Sequence, residues 1–433
     1  MVEDIKVVIG ANYGDEGKGR MTALFAKNAP KYQTLVIRSN GGAQAGHTVS
    51  TGENGKRIVF GHFGSGTTIG CPTYLSKNFI VNPMFFKKEW ESLKLAGYSP
   101  KVYVHEDCIV TTPYDIFVNQ AWEASLGKER YGSCGAGIYE TVLRNNTKNF
   151  KAKVSDMANK DANYKGLIAK DFISLVRKIE EDYFKIRLFS ALQSDEVPAP
   201  YDEIMQNSFK YPFLVDCLFF LRHVTIITKH NEKKFLNGFK TLVFEGAQGL
   251  LLDQGREIYG ERVTPSYTGF KNPFEIIYSN ELENVPIEVC YCSRWYMTRH
   301  GAGKLANEKR RREISAKIED KTNVPNAFQG NLRFGVLDID SLILRVTKDF
   351  KQFSCGLDNM KLSFSFICLD QMGKEKNPFI VDCDKKMGSS KDFIQAVTEK
   401  IIIINKIYKL YLGWGEDSSL TASKTFVNGG VVK

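Results

Sequence analysis

The sequence predicts an α/β fold, with a mostly parallel central sheet, glycine-rich nucleotide loops and an inserted helical subdomain. Three observations carry this. Residues 5–9 are a short β-branched run that breaks into a glycine-rich loop at 10–19 and resumes as a helical pattern over 21–27. A second strand-like run, 35–38, leads directly into another glycine-rich loop at 41–46. Strand, loop and helix in that order are the unit of parallel sheets whose strand ends carry phosphate-facing loops. Third, residues 145–240 change character and read as mainly helical.

That middle stretch is polar and Lys/Asn-rich at first, then shows apolar positions near 3.6 spacing over 167–192. Pro198 and Pro200 break it, and an apolar helix follows at about 213–223. The α/β pattern resumes with strands expected at 241–244 and 287–292. Two further apolar runs, 342–346 and 364–369, are expected as strands as well. No internal repeat or low-complexity linker divides the 433 residues. One composite domain, 1–433, with 145–240 inserted, is the expectation.

Composition narrows the class. Hydrophobic residues at 43% and charged residues at 25% are ordinary for a globular chain and argue against disorder. No apolar run approaches the ~20 residues of a membrane-spanning helix; the nearest, 213–221, is interrupted by Asp216. The first residues, MVED, do not fit a secretory signal. Nine cysteines without a CxxC pair do not suggest a disulfide framework or a zinc site, so a reducing compartment is expected: the cytoplasm, or a host's cytoplasm for a viral chain. The six histidines form no metalloprotease-type cluster. A net charge of +10 favours anionic partners such as nucleotides, although the excess is spread over a long chain. Its densest run, with Lys309, Arg310, Arg311 and Arg312, reads as solvated surface, with a phosphate or amino-acid contact as the alternative. No zinc finger, RNP-type aromatic motif or basic zipper accompanies it, so neither nucleic acid nor membrane is an expected partner.

Residues 10–20 read GANYGDEGKGR. Such glycines let backbone approach a ligand, and successive N–H groups ahead of a helix attract phosphate. The register fits neither the GxxxxGK(S/T) of a P-loop nor the GxGxxG of a dinucleotide fold. The unusual element is Asp15-Glu16 inside a phosphate loop. Carboxylates repel phosphate, so they imply a metal ion or a proton-transfer role; the plain alternative is an acidic turn ahead of a helix. Residues 41–49 read GGAQAGHTV, where His47 at a strand end can donate a hydrogen bond to a ligand oxygen or serve a structural role.

These two loops together resemble the N-terminal signatures of the adenylosuccinate synthetase family. Further segments follow in the family's order. GSCGAGI at 132–138 is similar to the GTTGxGI phosphate loop, with Arg144 after it, and FEGAQGLLLD at 244–253 is similar to FEGAQGxLLD. Tyr259, Val263 and Thr264 resemble the YPxVT stretch, TRHGAG at 298–303 resembles TRVGxG, and RFGVLD at 333–338 resembles RxGWLD. Leu369-Asp370 falls where the family has TKLD, and Gly413, Trp414 and Gly415 loosely resemble its final TGP segment. The inserted stretch has no counterpart that aligns.

The resemblance implies a GTP- and Mg²⁺-dependent carbon–nitrogen ligase of purine biosynthesis that joins aspartate to C6 of inosine monophosphate through a 6-phosphoryl intermediate. It implies Asp15 as the base that removes the N1 proton, with Lys18 and His47 offsetting phosphate charge as the rest of the catalytic set. It implies Asn12, Gln44, Ser133, Cys134, Arg144, Gln248 and Thr264 at the nucleoside monophosphate. Gly14, Glu16, Gly17, Gly19, Thr48, Asp370 and Gly415 would contact GTP, with Asp370 accepting from guanine. Arg299, His300 and Arg333 would hold the amino acid, and the Asp15 carboxylate with the Gly46 carbonyl would hold Mg²⁺. Arg144 looks like the family arginine that reaches a neighbouring subunit's nucleotide, implying a homodimer.

Four departures bear on the substrate. Gln44 stands where the family has Asn, Cys134 replaces a threonine with a weaker donor, and His300 replaces a valine. The family's TTGRxR amino-acid loop is AFQGNLR at 327–333, which removes bidentate donors; Arg299, Arg333 and Arg310, Arg311 and Arg312 are the candidate substitutes. Two alternatives stay open: a phage-type enzyme acting on (deoxy)guanylate to give the precursor of 2-aminoadenine, and a non-catalytic nucleotide-binding paralogue. Retention of Asp15 weighs against the first, because members of that branch carry a smaller residue there. Asp15, Lys18, His47 and Gln248 together weigh against the second.

Overall fold

The computed structural model describes residues 1–432 apart from 31, 52–55, 159–166, 193–208, 256–262, 321–322, 324–329, 355–356, 358, 374–375, 403–406, 416–420 and 428–429. Pro198, Pro200, Tyr259, Ala327, Phe328 and Gln329, singled out above, lie outside the described residues. The chain opens with strand β1 (Asp4–Gly10), helix α1 (Lys18–Lys27), strand β2 (Thr34–Arg38) and the hairpin β3 (His47–Thr51) and β4 (Lys56–Phe60).

An eleven-stranded sheet organises the molecule. Its order from one edge is Gly430–Val432, Thr421–Val427, Ile407–Gly413, Met360–Ile367, Ile287–Arg294, β1, Thr241–Glu245, β2, Thr73–Leu75, Val102–His105 and Val224–Ile227. Every pairing from Ile407–Gly413 to Val224–Ile227 is parallel; the last two strands at the other edge run antiparallel. All residues of β2 and of Thr241–Glu245 are buried, as expected of a parallel sheet covered on both faces. Alternation along β1 assigns the layers. Ile5, Val7 and Ile9 join the core with Leu342, Val346, Phe393 and Val397, whereas Val8 joins Met21 and Phe25 of α1 on the opposite face.

The expected parallel α/β architecture is therefore present, with one element corrected. Residues 342–346 are not a strand; they lie inside helix Ile339–Ser354. Leu342, Ile343, Val346 and Phe350 are buried at helical spacing, and Asp338 caps the start by accepting from the Ser341 N–H at 3.0 Å. A five-residue apolar run has no periodicity of its own, so the longer pattern and the cap decide.

The middle stretch is helical over Lys170–Lys178, Ile179–Phe184 (a π-helical turn) and Lys185–Leu192, and again over Lys210–His223. Its end differs from the simple picture of an insert. Val224–Ile227 returns as the edge strand of the main sheet, pairing with Val102–His105. Phe213, Cys217 and Phe220 share one core with Leu75, Val102 and Val104, so this helical layer is packed onto the sheet itself. Among the described residues no helix is long and apolar enough to cross a membrane.

Because the main strands run parallel, their carboxyl ends fall along one border of the sheet. The loops beginning at residues 10, 39, 246, 295, 368 and 413 all leave from that border. The chain from β1 continues to β2 beyond Thr241–Glu245, while Ile287–Arg294 lies on the other side of β1. A strand flanked in this way opens a crevice at its carboxyl end, where open α/β sheets bind ligands.

Candidate active site

Helix α1 starts at Lys18 with no side chain capping it. Its first backbone N–H groups have no intrahelical acceptor and, with the helix dipole, form an anion-seeking end. The second loop is pressed against this end through Gly19. A Cβ there would lie 2.9 Å from Ser65 Oγ and 3.1 Å from the Thr48 carbonyl oxygen, so only glycine lets His47 and Thr48 approach α1 this closely. Gly41 does the same for the third loop. It has φ 73°, and a Cβ would meet Ala247 at 2.6 Å, Gln248 Oε1 at 3.3 Å and Gln44 Nε2 at 3.6 Å. The amide of Gln44 and Oε1 of Gln248 thus converge on Gly41, and both are buried without a hydrogen-bond partner. Unmet buried amide groups are costly, and a purine nucleotide offers the donors and acceptors that would satisfy them.

His47 donates through Nδ1 to Glu245 Oε1 at 2.7 Å, both side chains being buried. Glu245 also accepts from the Ser65 N–H at 2.9 Å and from the Ser65 hydroxyl. Burial is the largest influence on His47 and lowers it to about 4 despite Glu245, so the ring is neutral. Burial works against ionisation of Glu245, but His47, Arg38 and Ser65 outweigh it and hold the carboxyl at about 2. This carboxylate fixes the imidazole tautomer and leaves Nε2 for a ligand.

Asp15 and His300 face each other at 3.1 Å, with side chains 27% and 23% exposed. Burial disfavours both charges, but their mutual hydrogen bond and attraction prevail: Asp15 sits below the usual carboxylate value, helped by Arg294 and Lys18, and His300 sits above that of free imidazole. Asp15 is therefore an ionised carboxylate at the mouth of the crevice. Burial lowers Lys18, whose ammonium folds back onto the Gly14 carbonyl. Glu16 points inward instead. Neither of its carboxylate oxygens makes a formed hydrogen bond, and burial pushes it up to about 7 against the pull of Lys18 and Asn12.

Asp370 and Gly415 are in contact: the Gly415 N–H donates to Asp370 Oδ1 at 2.7 Å, while Arg20 of α1 donates to the Gly415 carbonyl at 2.8 Å. Gly132 packs directly on Gly301, which brings the Ser133 loop beside His300. Ser133 is oriented by Asn119 and Glu123, and burial pushes the Cys134 thiol up. The Thr264 N–H donates to the Leu252 carbonyl, joining that stretch to the Gln248 loop. Asn12 faces inward, held by Ser293 at 2.9 Å and by Arg345, which also donates to the Ala11 carbonyl.

Three of the candidate arginines are held by contacts within the chain. Arg144 is fully buried: Nε and Nη2 donate to Asp115 at 2.8 and 2.9 Å, and Nη1 to the Phe150 carbonyl at 2.7 Å. Its guanidinium is held within the fold by these bonds. Arg299 stacks over Tyr13, 4.6 Å from the ring centroid, and donates to the Lys304 carbonyl. Arg333 donates to the Gly301 and Gly303 carbonyls and pairs with Glu308. Both brace the loop at 300–304. Lys309, Arg310, Arg311 and Arg312 are exposed, as a solvated run should be.

The site's donors also suit the implied Mg²⁺. The Asp15 carboxylate and the carbonyl of exposed Gly46 are hard oxygen donors open to water, and no group of three or more His, Cys, Asp or Glu gathers among the described residues. Magnesium is commonly held by one or two carboxylates together with substrate phosphates rather than by an all-protein cage.

Sequence reading missed the supporting residues: Glu245, Arg294, Asp320, Asn323 and Arg345. Glu245 and Arg38 carried a usable signal. Each is a charged residue ending an otherwise apolar buried strand, and the two are register partners across adjacent strands. Arg345 carried none, because a charge within an amphipathic helix reads as solvated.

A family model described as adenylosuccinate synthetase matches residues 7–419. Adenylosuccinate synthetases of Limosilactobacillus reuteri and Lactobacillus acidophilus are 26% and 27% identical to this chain, each over 97% of it and over 88% and 89% of their own lengths. Among solved structures, fully ligated adenylosuccinate synthetase from Plasmodium falciparum has a TM-score of 0.68 at 18% identity, covering 96% of this chain and 98% of that one. The succinoaminodeoxyadenylate synthetase of cyanophage S-2L, bound to dGMP and dATP, has a TM-score of 0.58 at 12% identity, covering 98% and 95%. These two likenesses are of fold.

Proposed function

The chain belongs to the adenylosuccinate synthetase family of carbon–nitrogen ligases, and on that premise we propose that it joins L-aspartate to C6 of inosine monophosphate, using GTP through a 6-phosphoryl intermediate. The observation that carries this reading is the ionised Asp15 at the crevice mouth, beside the anion-seeking end of α1 and the carboxylate-fixed imidazole of His47.

Asp15 takes the N1 proton of the 6-oxopurine, which makes O6 a nucleophile toward the γ-phosphorus. The unpartnered Gln44 amide and Gln248 Oε1 are the natural contacts for the nucleotide. Lys18 and the N–H groups of α1 face the charge that spreads over the phosphoryl oxygens. An anion arriving at Nε2 of His47 favours protonation of a ring whose other nitrogen already leans on Glu245, so charge appears there when phosphate does. Mg²⁺, held by Asp15 and Gly46, would supply charge neutralisation on the phosphates. The amine of aspartate then displaces phosphate from C6. Asp370 would accept from the guanine edge of GTP. A homodimer in the cytoplasm completes the proposal.

The test is phosphate release from GTP with Mg²⁺ and aspartate, offering inosinate, deoxyguanylate and guanylate in parallel. Release with inosinate alone bears the proposal out. Release with the guanylates moves the enzyme to the 2-aminoadenine precursor, and silence with all three overturns ligase activity. Asp15→Asn should lower turnover about 10²–10⁴-fold while inosinate still binds in calorimetry.

A further inference from the structure

Resting on that reading, we propose that His300 is a positioning residue for Asp15, the keystone of a ring of side chains that fixes the direction of the Asp15 carboxylate. The ring draws on four segments. His300 Nε2 faces both Asp15 Oδ2, at 3.1 Å, and Asn323 Oδ1, at 3.0 Å. Asn323 is seated on Asp320 twice, through its backbone N–H to Oδ1 at 2.9 Å and its side-chain amide to Oδ2 at 2.8 Å. Asp320 pairs with Arg294 at 3.2 Å, and Arg294 Nε closes the ring on the backbone carbonyl of Asp15.

The mechanical logic follows from where these residues stand. Arg294 ends a fully buried strand of the central sheet, so the ring is anchored in the core of the molecule. Asp15 sits in a loop, and its carboxylate is partly open to water. A carboxylate with only water around it rotates freely about its last side-chain bond. One N–H shared between two acceptors confines it to a narrow range of directions. A base misaligned by an ångström loses about 10²-fold in rate, so confinement has a kinetic consequence.

The amino-acid contact first expected of His300 is the competing role. His300 Nε2 is committed to Asp15 and Asn323, and Arg299 and Arg333 beside it brace the same loop. The Nε2 donor of His300 is therefore already engaged with the base, while its Nδ1 lies buried without a hydrogen-bond partner.

The experiment is steady-state kinetics of the wild type, His300→Leu and His300→Gln with whichever nucleotide the wild type uses. Leucine removes the donor, and glutamine returns an N–H near the position of Nε2. The expected result is a fall in kcat of about tenfold to a hundredfold for His300→Leu, a KM for aspartate within about threefold of wild type, and recovery of most of the loss in His300→Gln. A raised KM for aspartate at unchanged kcat overturns the proposal in favour of an amino-acid contact. A glutamine variant no better than leucine, or a leucine variant equal to wild type, also overturns it. A silent wild type is a different outcome, since it removes the ligase reading and this role with it. Should His300→Leu not fold, the ring Nε2 resonance of His300, followed by NMR in wild type and Asp15→Asn, decides: a shift supports the contact, and no shift overturns it.

Discussion

Glu245 lies fully buried against His47 and Ser65, and its negative charge is held there by those two and by Arg38. Its folded value, about 2, is below that of an unfolded glutamate, about 4.3. Stability from this group is therefore complete above about 4.3 and is lost as pH falls through about 2. His47, lowered to about 4 from an unfolded value near 6.5, adds stability that is complete above 6.5 and falls away as pH drops toward 4. Glu245→Gln should cost roughly 3–5 kcal/mol near neutrality. Its gap in melting temperature from wild type should close below pH 4; a gap constant from pH 7 to pH 3 would show that the carboxylate charge is not what matters. Glu16 predicts the opposite sign. It is a buried carboxylate without a formed hydrogen bond, so Glu16→Gln should raise the melting midpoint at pH 8, and a lowered midpoint would contradict that account. Neither residue was assigned such a role from sequence, because the reason for each lies in what packs around it.

Helix α1 and the two loops that flank it work as one element. The approach of β3 to α1 depends on the missing side chain at Gly19, where a methyl group would press on Ser65 and the Thr48 backbone. Gly19→Ala should therefore separate His47 from the phosphate end of α1, and lower kcat for GTP-dependent phosphate release by tenfold or more while the far-UV spectrum is retained. Unchanged kinetics would mean that the contact is looser than the geometry requires. At this scale the sequence was legible where the pattern was long. The strand–loop–helix start, the strand at 287–292 and the helical stretch from 167 to 192 all have counterparts in the fold. The short run 342–346 was not legible, since five apolar residues suit a strand or a buried helix turn equally. What resolved it was the cap at Asp338 and the buried face continued at Phe350.

For the molecule as a whole, the binding proposed at the carboxyl border of the sheet would join loops from several strands, so ligand should stabilise the entire fold. GTP with Mg²⁺ and inosinate, each at a hundred times its dissociation constant, should each contribute roughly 2.7 kcal/mol. Scanning calorimetry should show the melting midpoint rising in steps, and Asp15→Asn should keep the inosinate step. No rise with either nucleotide would remove the nucleotide-binding reading altogether. The sequence by itself determined the α/β class, the family resemblance and a set of candidate residues, because glycine registers and paired motifs are local and their chemistry can be read from residue type. Tertiary structure alone decided which of those residues are available. Arg144, Arg299 and Arg333 look alike in sequence, yet the first is consumed by Asp115 and the other two brace the loop at 300–304. Asp15 met His300 only when a loop after β1 and the end of Tyr296–Arg299 came together across nearly three hundred residues. Partners at that distance are chosen by the packing of the sheet, and local sequence carries no record of them.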